Sequence, residues 1–151
     1  MGRRELALGA LVLLGALLAG CGSSESSAPL DDGTSIIAAQ TDLDITVWPD
    51  GKGAGGPQRY TLSCPEPSGD HPDPEKACEA VYDLNPDDFE PVPADAICTE
   101  IYGGPQQARL EGTFAGGDDV VPVALDLSRE NGCQIDLWDR FAKIVPQPAG
   151  S

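Results

Sequence analysis

Four cysteines, Cys64, Cys78, Cys98 and Cys133, constrain this chain more than any other feature of its sequence. In a small exported domain an even set reads as two disulfides; in a reducing compartment it reads as a metal site or a redox pair. A zinc site wants paired ligands about two to four residues apart. The closest cysteines here are Cys64 and Cys78, and His71 is the single histidine. The sequence therefore offers no metal-ligand set and implies no cofactor. Four cysteines allow three pairings, and spacing does not choose among them.

The amino terminus supplies the export signal that the disulfide reading needs. Arg3 and Arg4 precede an apolar run, Leu6 to Leu18, and the small residues Ala19 and Gly20 lead into a fifth cysteine, Cys21. This is the layout of a secretory signal peptide, and the run is short for a membrane span. Leu18-Ala19-Gly20-Cys21 resembles the bacterial lipobox. That resemblance implies a diacylglyceryl group on the Cys21 thiol and cleavage on its amino side. Residues 1–20 are then a lipoprotein signal peptide. Gly22 to Ser35 is rich in Ser and Gly; it buries too little apolar surface to offset its chain entropy, so 21–40 reads as a flexible tether. Residues 41–146 suffice for one domain with a modest core, followed by a tail, 147–151. The expected location is the extracellular face of the cell membrane, held by lipid.

The net charge is −16, with 25 acidic residues against 9 basic ones. Losing Arg3, Arg4 and Glu5 with the leader removes one net positive charge and takes −16 to −17. Such a surface repels phosphates and argues against nucleic acid. It also argues against electrostatic adsorption to anionic lipid, so membrane attachment rests on the lipid anchor only. The same charge keeps an exported domain soluble.

Along the domain, Leu43, Ile45 and Val47 alternate with Asp44, Thr46 and Trp48, and Tyr60, Leu62 and Cys64 alternate with Arg59, Thr61 and Ser63. Both read as strands with one face inward, joined as a hairpin across the Gly-rich run 51–57. Asp73-Pro74-Glu75 is a helix start, with Ala77, Cys78, Val81 and Leu84 on one face and Asn85-Pro86 as the stop. Residues 87–93 read as an acidic loop. Ala96 to Tyr102 is extended. Strands follow over 107–114 and 121–127, the latter kept at an edge by Pro122. Ile135, Trp138 and Phe141 suggest a short helix, and 142–145 a last short strand. The sum is an α+β domain: an antiparallel β-sheet with two short helices and two disulfides.

Nothing in this pattern reads as an enzyme. His71 sits between Asp70 and Pro72 without a group to position it as a base. Carboxylates are so abundant that no chosen pair is informative. Asp87-Asp88 and Asp118-Asp119 lack the alternating oxygen ligands of a calcium loop.

The cysteines do line up with a known pattern. Tyr60-Thr61-Leu62-Ser63-Cys64-Pro65, Pro67-Ser68-Gly69-Asp70-His71-Pro72 and Ala77-Cys78 resemble the Streptomyces subtilisin inhibitor family. Cys98 with Tyr102 is similar to that family's C-P-x-x-Y segment, Glu111 to Gly116 to its G-x-W-x-G with Phe114 for Trp, and Asn131-Gly132-Cys133 to its N-E-C. The likeness runs from Leu43 to about Val145.

This resemblance implies the pairings Cys64–Cys78 and Cys98–Cys133 and, as in several members, a homodimer. It implies a serine protease inhibitor of the standard mechanism, whose rigid loop enters the protease cleft as a substrate would. Its partner would be a serine protease, subtilisin-like or glutamate-specific. Carried onto this sequence, the reactive bond is Glu100–Ile101. Ile97, Cys98, Thr99 and Tyr102 complete the loop, and Asn131 supports it from beneath by hydrogen bonding. Three departures stand out. Thr99 replaces the usual Pro, and Gly103-Gly104 sets Pro105 one residue late; both are expected to soften the loop. Glu100 stands where Met, Lys, Arg or Leu is common. The rival reading is a non-inhibitory cell-surface lipoprotein that uses the scaffold for binding or envelope structure, because function lives in the loop and not in the fold.

Overall fold

A computed structural model describes residues 39–147. The leader, Cys21, the tether up to residue 38 and the tail beyond 147 lie outside the described residues.

A period of two sends alternate side chains to opposite faces of a strand. In β1 (Thr41–Trp48) it buries Leu43, Ile45 and Val47 and leaves Asp42 and Asp44 in water. The Gly-rich turn folds the chain back into β2 (Gln58–Cys64), antiparallel to β1, with Leu43 opposite Leu62. β3 (Gln107–Gly116) pairs with the other edge of β1, and β4 (Asp119–Leu127) pairs with β3, so the sheet order is β2-β1-β3-β4. The central pair, β1 and β3, thus joins two stretches of chain that lie on either side of the long connection 90–106.

One face of this sheet is apolar and carries Leu62, Ala108, Leu110, Phe114, Val123, Leu125 and Leu127 besides the β1 residues. Two helices pack on it. In α1 (Pro74–Tyr82) Asp73 is the N-cap, its carboxylate accepting the Lys76 N–H, and Ala77, Cys78 and Val81 are buried. In α2 (Gly132–Arg140) Leu137 and Trp138 are buried. Phe89 packs between Phe114 and Phe141, at ring-centre distances of 4.7 and 5.1 Å. The disulfides are Cys64–Cys78, which staples β2 to α1, and Cys98–Cys133, which staples the long connection to α2. The class, the sheet, the helices and both pairings are those expected. At Gly112, φ is +132° and a Cβ would overlap the Asp42 carbonyl of β1, so only glycine lets the two central strands approach there.

Both sheet edges are blunted. Pro122 lies in β4, an edge strand, as expected. Along β2 the Pro- and Gly-rich run after Cys64 doubles back. Ser63 and Ser68 exchange backbone hydrogen bonds, and the His71 N–H donates to the Thr61 carbonyl. The Thr61 N–H and hydroxyl both donate to the Asp70 carboxylate. His71 is buried, 6% exposed. Its Nδ1 accepts the Asp73 N–H at 3.1 Å, so its Nε2 carries the hydrogen and donates to the Ile144 carbonyl at 3.0 Å.

Two local expectations are corrected. Residues 86–89 of the acidic stretch form a 3-10 turn in which the Asn85 N–H donates to the Asp88 carboxylate, and Arg140 pairs with Asp88 at 3.1 Å. Residues 142–145 are not a strand: Ile144 and Val145 both donate back to the Phe141 carbonyl, in a turn that continues from α2. Ile144 and Val145 are buried. Their apolar run signalled burial and not extension.

The two Thr61 hydrogen bonds hold the Asp70 carboxyl below its usual range. A lowered folded value means the stabilisation is present above the ordinary carboxylate value and is lost as pH falls through the folded one. Asp70→Asn is therefore expected to destabilise the domain at neutral pH. Its deficit against wild type, read by urea unfolding, should shrink as pH falls below the ordinary carboxylate range.

Candidate functional site

The connection between the two halves of the domain contains Pro91 and Pro93, which disfavour helix, and after the 3-10 turn no residue before β3 joins a helix or strand. Its middle stands out from the body. Ile97 is fully exposed, and Ile101 and Tyr102 are 61% and 64% exposed. Glu100 and Thr99 are also exposed. Large apolar side chains in water over so short a run are informative in a way that one exposed leucine is not.

This exposed run is tied down at both ends. Cys98 is bonded to Cys133 in the first turn of α2. The Thr99 carbonyl accepts the Gly132 N–H at 3.0 Å, and the Gly103 N–H donates to the Arg129 carbonyl at 2.8 Å. The first turn of a helix leaves backbone N–H groups without intrahelical partners; the loop takes one of them. Glu100, Ile101 and Tyr102 lie between these ties. Fixing backbone conformation costs roughly 1–2 kcal/mol per residue, and here much of that ordering is complete before any partner arrives.

The expected site residues fall together. Ile97, Cys98, Thr99, Glu100, Ile101 and Tyr102 form the exposed run, and Asn131 lies at the end of α2 beside it. The Asn131 side chain also serves the helix. Its oxygen accepts the Gln134 N–H at 3.0 Å and so caps α2. The described hydrogen bonds that reach the loop come from backbone on either side of it, at Gly132 and Arg129. Asn131 fixes the helix end that presents Gly132. Gly103 is likewise not slack, since its N–H is one of the ties. Sequence reasoning missed these backbone contributions. The signal that was available is Asn131 three residues before Gln134, a helix start beside a cysteine.

Known proteins place this architecture. The family described as subtilisin inhibitor-like matches residues 39–120. Among solved structures, the chain is similar to sermetstatin of Streptomyces caespitosus, crystallised in complex with subtilisin of Bacillus licheniformis. Identity is 23% and the TM-score 0.40, over 70% of this chain and 96% of that one. No curated protein matches this chain. With more than half of its length matched by that family, the chain belongs to the subtilisin inhibitor-like proteins.

Proposed function

We propose that this protein inhibits a serine protease by presenting the Glu100–Ile101 bond as a substrate whose cleavage does not run to completion. The observation that carries the reading is the tying of the exposed run on both sides of that bond, by Cys98–Cys133 and the Thr99–Gly132 hydrogen bond before it and by the Gly103–Arg129 hydrogen bond after it. In the reaction the protease serine attacks the Glu100 carbonyl, forms an ester and expels the Ile101 amine. An amine held in place stays beside the ester and attacks it, which restores the peptide bond and frees the serine. Proximity of this kind accelerates the return step by many orders of magnitude.

The Glu100 side chain would fill the primary pocket. A carboxylate there needs a cationic or strongly hydrogen-bonding pocket, which favours a glutamate-preferring protease over a trypsin-like one. Ile97 and Tyr102 are free to add apolar contact on either side. The protein makes no catalytic use of His71, both of whose ring nitrogens are engaged in holding the fold. By the lipobox-like Leu18–Cys21, the same proposal places the domain outside the cell on a lipid anchor at Cys21.

The test is to mix the processed, disulfide-bonded protein with subtilisin-like, trypsin-like and glutamate-specific proteases and follow residual activity for hours. Lasting inhibition of one of them is expected. Inhibition of none, with Glu100–Ile101 untouched or cut once and for all, overturns the proposal in favour of a binding scaffold. For the anchor, Cys21→Ser should release the protein to the medium or leave uncut precursor; membrane fractionation unchanged from wild type would sink that part.

A further inference from the structure

We infer that Gly132 and Thr99 are a matched pair that positions the acyl side of the Glu100–Ile101 bond, Gly132 serving as a positioning residue because it has no side chain. The inference rests on the inhibitory reading above and names what sets the geometry of the attacked carbonyl. Residues 98 and 99 run beside residues 133 and 132 as two rungs, the disulfide Cys98–Cys133 and the hydrogen bond from the Gly132 N–H to the Thr99 carbonyl. The second rung needs the loop backbone to lie close over the first residue of α2. A Cβ added to Gly132 would overlap Thr99 Oγ1, while Thr99 Cβ would stand at 3.4 Å and Thr99 N at 3.7 Å, both ordinary contacts. The hydroxyl oxygen alone is the obstacle. A side chain at 132 therefore displaces the Thr99 hydroxyl, and whatever part of that shift rotation of the Thr99 side chain does not absorb passes through one peptide unit to the Glu100 carbonyl.

The far side of the bond is closely packed as well. A Cβ on Gly103 would lie 3.0 Å from the end of the Ile135 side chain and 3.2 Å from Arg129 Cβ. The half-buried Ile135 side chain can give way, but Arg129 Cβ is fixed to its backbone.

The experiment is a double-mutant cycle on the full processed protein: wild type, Gly132→Ala, Thr99→Ala, and both together. Three quantities are read: the rate at which Glu100–Ile101 is cut by a glutamate-specific protease, hydrogen exchange of the residue-132 amide, and Tm. Alanine is a better helix former than glycine, so Gly132→Ala on helix grounds alone would be neutral or stabilising. Instead, cleavage is expected to rise about ten- to a hundred-fold, with the residue-132 amide exchanging faster and Tm little changed. The double variant should return cleavage and exchange to the level of Thr99→Ala. Gly132→Ala indistinguishable from wild type, or a double variant no better than Gly132→Ala, overturns the pair. Should the wild type be cut irreversibly by every protease, the inhibitory reading fails. Amide exchange then decides the pair by itself: protection in wild type, lost in Gly132→Ala and regained in the double variant supports it, and an unprotected wild-type amide overturns it.

Discussion

On the proposed inhibitory reading, replacing Cys98 and Cys133 together by serine is expected to turn lasting inhibition into rapid consumption as a substrate. Two effects combine. The bridge closes a long loop, with a sequence separation of 35, and in the chain-entropy model it is worth about 4 kcal/mol, a large part of the roughly 5–15 kcal/mol that holds a typical domain together. It also holds the residue two positions before Glu100, so without it the acylated end can drift from the amine it must rejoin. The control is the pair Cys64→Ser and Cys78→Ser. That bridge, with a separation of 14, is worth about 3 kcal/mol in the same model but lies away from the reactive bond in sequence. Well below either variant's Tm, both should be folded, and only the first should lose lasting inhibition. Time courses of residual protease activity, with cut and uncut chain counted by mass spectrometry, separate the effects. Equal loss in both variants would reduce the Cys98–Cys133 bridge to a stabiliser of the fold.

Glu100→Lys is expected to move inhibition to trypsin-like proteases, whose primary pocket is acidic. The wild-type carboxylate would enter such a pocket without a partner and against a like charge; lysine brings the partner. Breaking a desolvated charge pair costs about 3–5 kcal/mol, so the exchange should strengthen binding by roughly two to three and a half orders of magnitude. Glu100→Met should move inhibition toward subtilisin-like enzymes, and both variants should lose a glutamate-specific target. Inhibition constants for the three proteins against the three protease classes check this. A pattern indifferent to residue 100 would mean that some other segment makes the contact.

Much of this fold is legible from side chains alone, because its signals are periodic. Leu43-Ile45-Val47 and Val123-Leu125-Leu127 alternate along strands, and Asp73-Pro74-Glu75 has the chemistry of a helix start. What escaped was of two kinds. Ile144 and Val145 form too short an apolar run to distinguish strand from turn, and the choice fell to hydrogen bonds back to Phe141. The ties at Gly132, Arg129 and Gly103 run through backbone atoms that every residue carries, so no residue type announces them. Asn131 shows the limit from the other side. The family resemblance implies a hydrogen bond from its side chain to the loop; its oxygen is engaged by Gln134, whose N–H stands in the unsatisfied first turn of α2. The position of the exposed run and the disulfide that anchors it were legible; its backbone ties were not.

The place of the Glu100–Ile101 bond within the topology has a further consequence. Glu100–Ile101 lies in the connection between a first piece that holds β1, β2 and α1 and a second that holds β3, β4 and α2. Because β1 pairs with β2 on one side and β3 on the other, the centre of the sheet is a seam between the pieces, with Leu110 of one set opposite Ile45 of the other. A nick there yields a split protein whose fragments complement each other across a buried β-interface and remain cross-linked by sulfur. Their meeting is intramolecular, at an effective concentration that no dilution of the sample can lower. The fold is thus its own splint for a break at that bond.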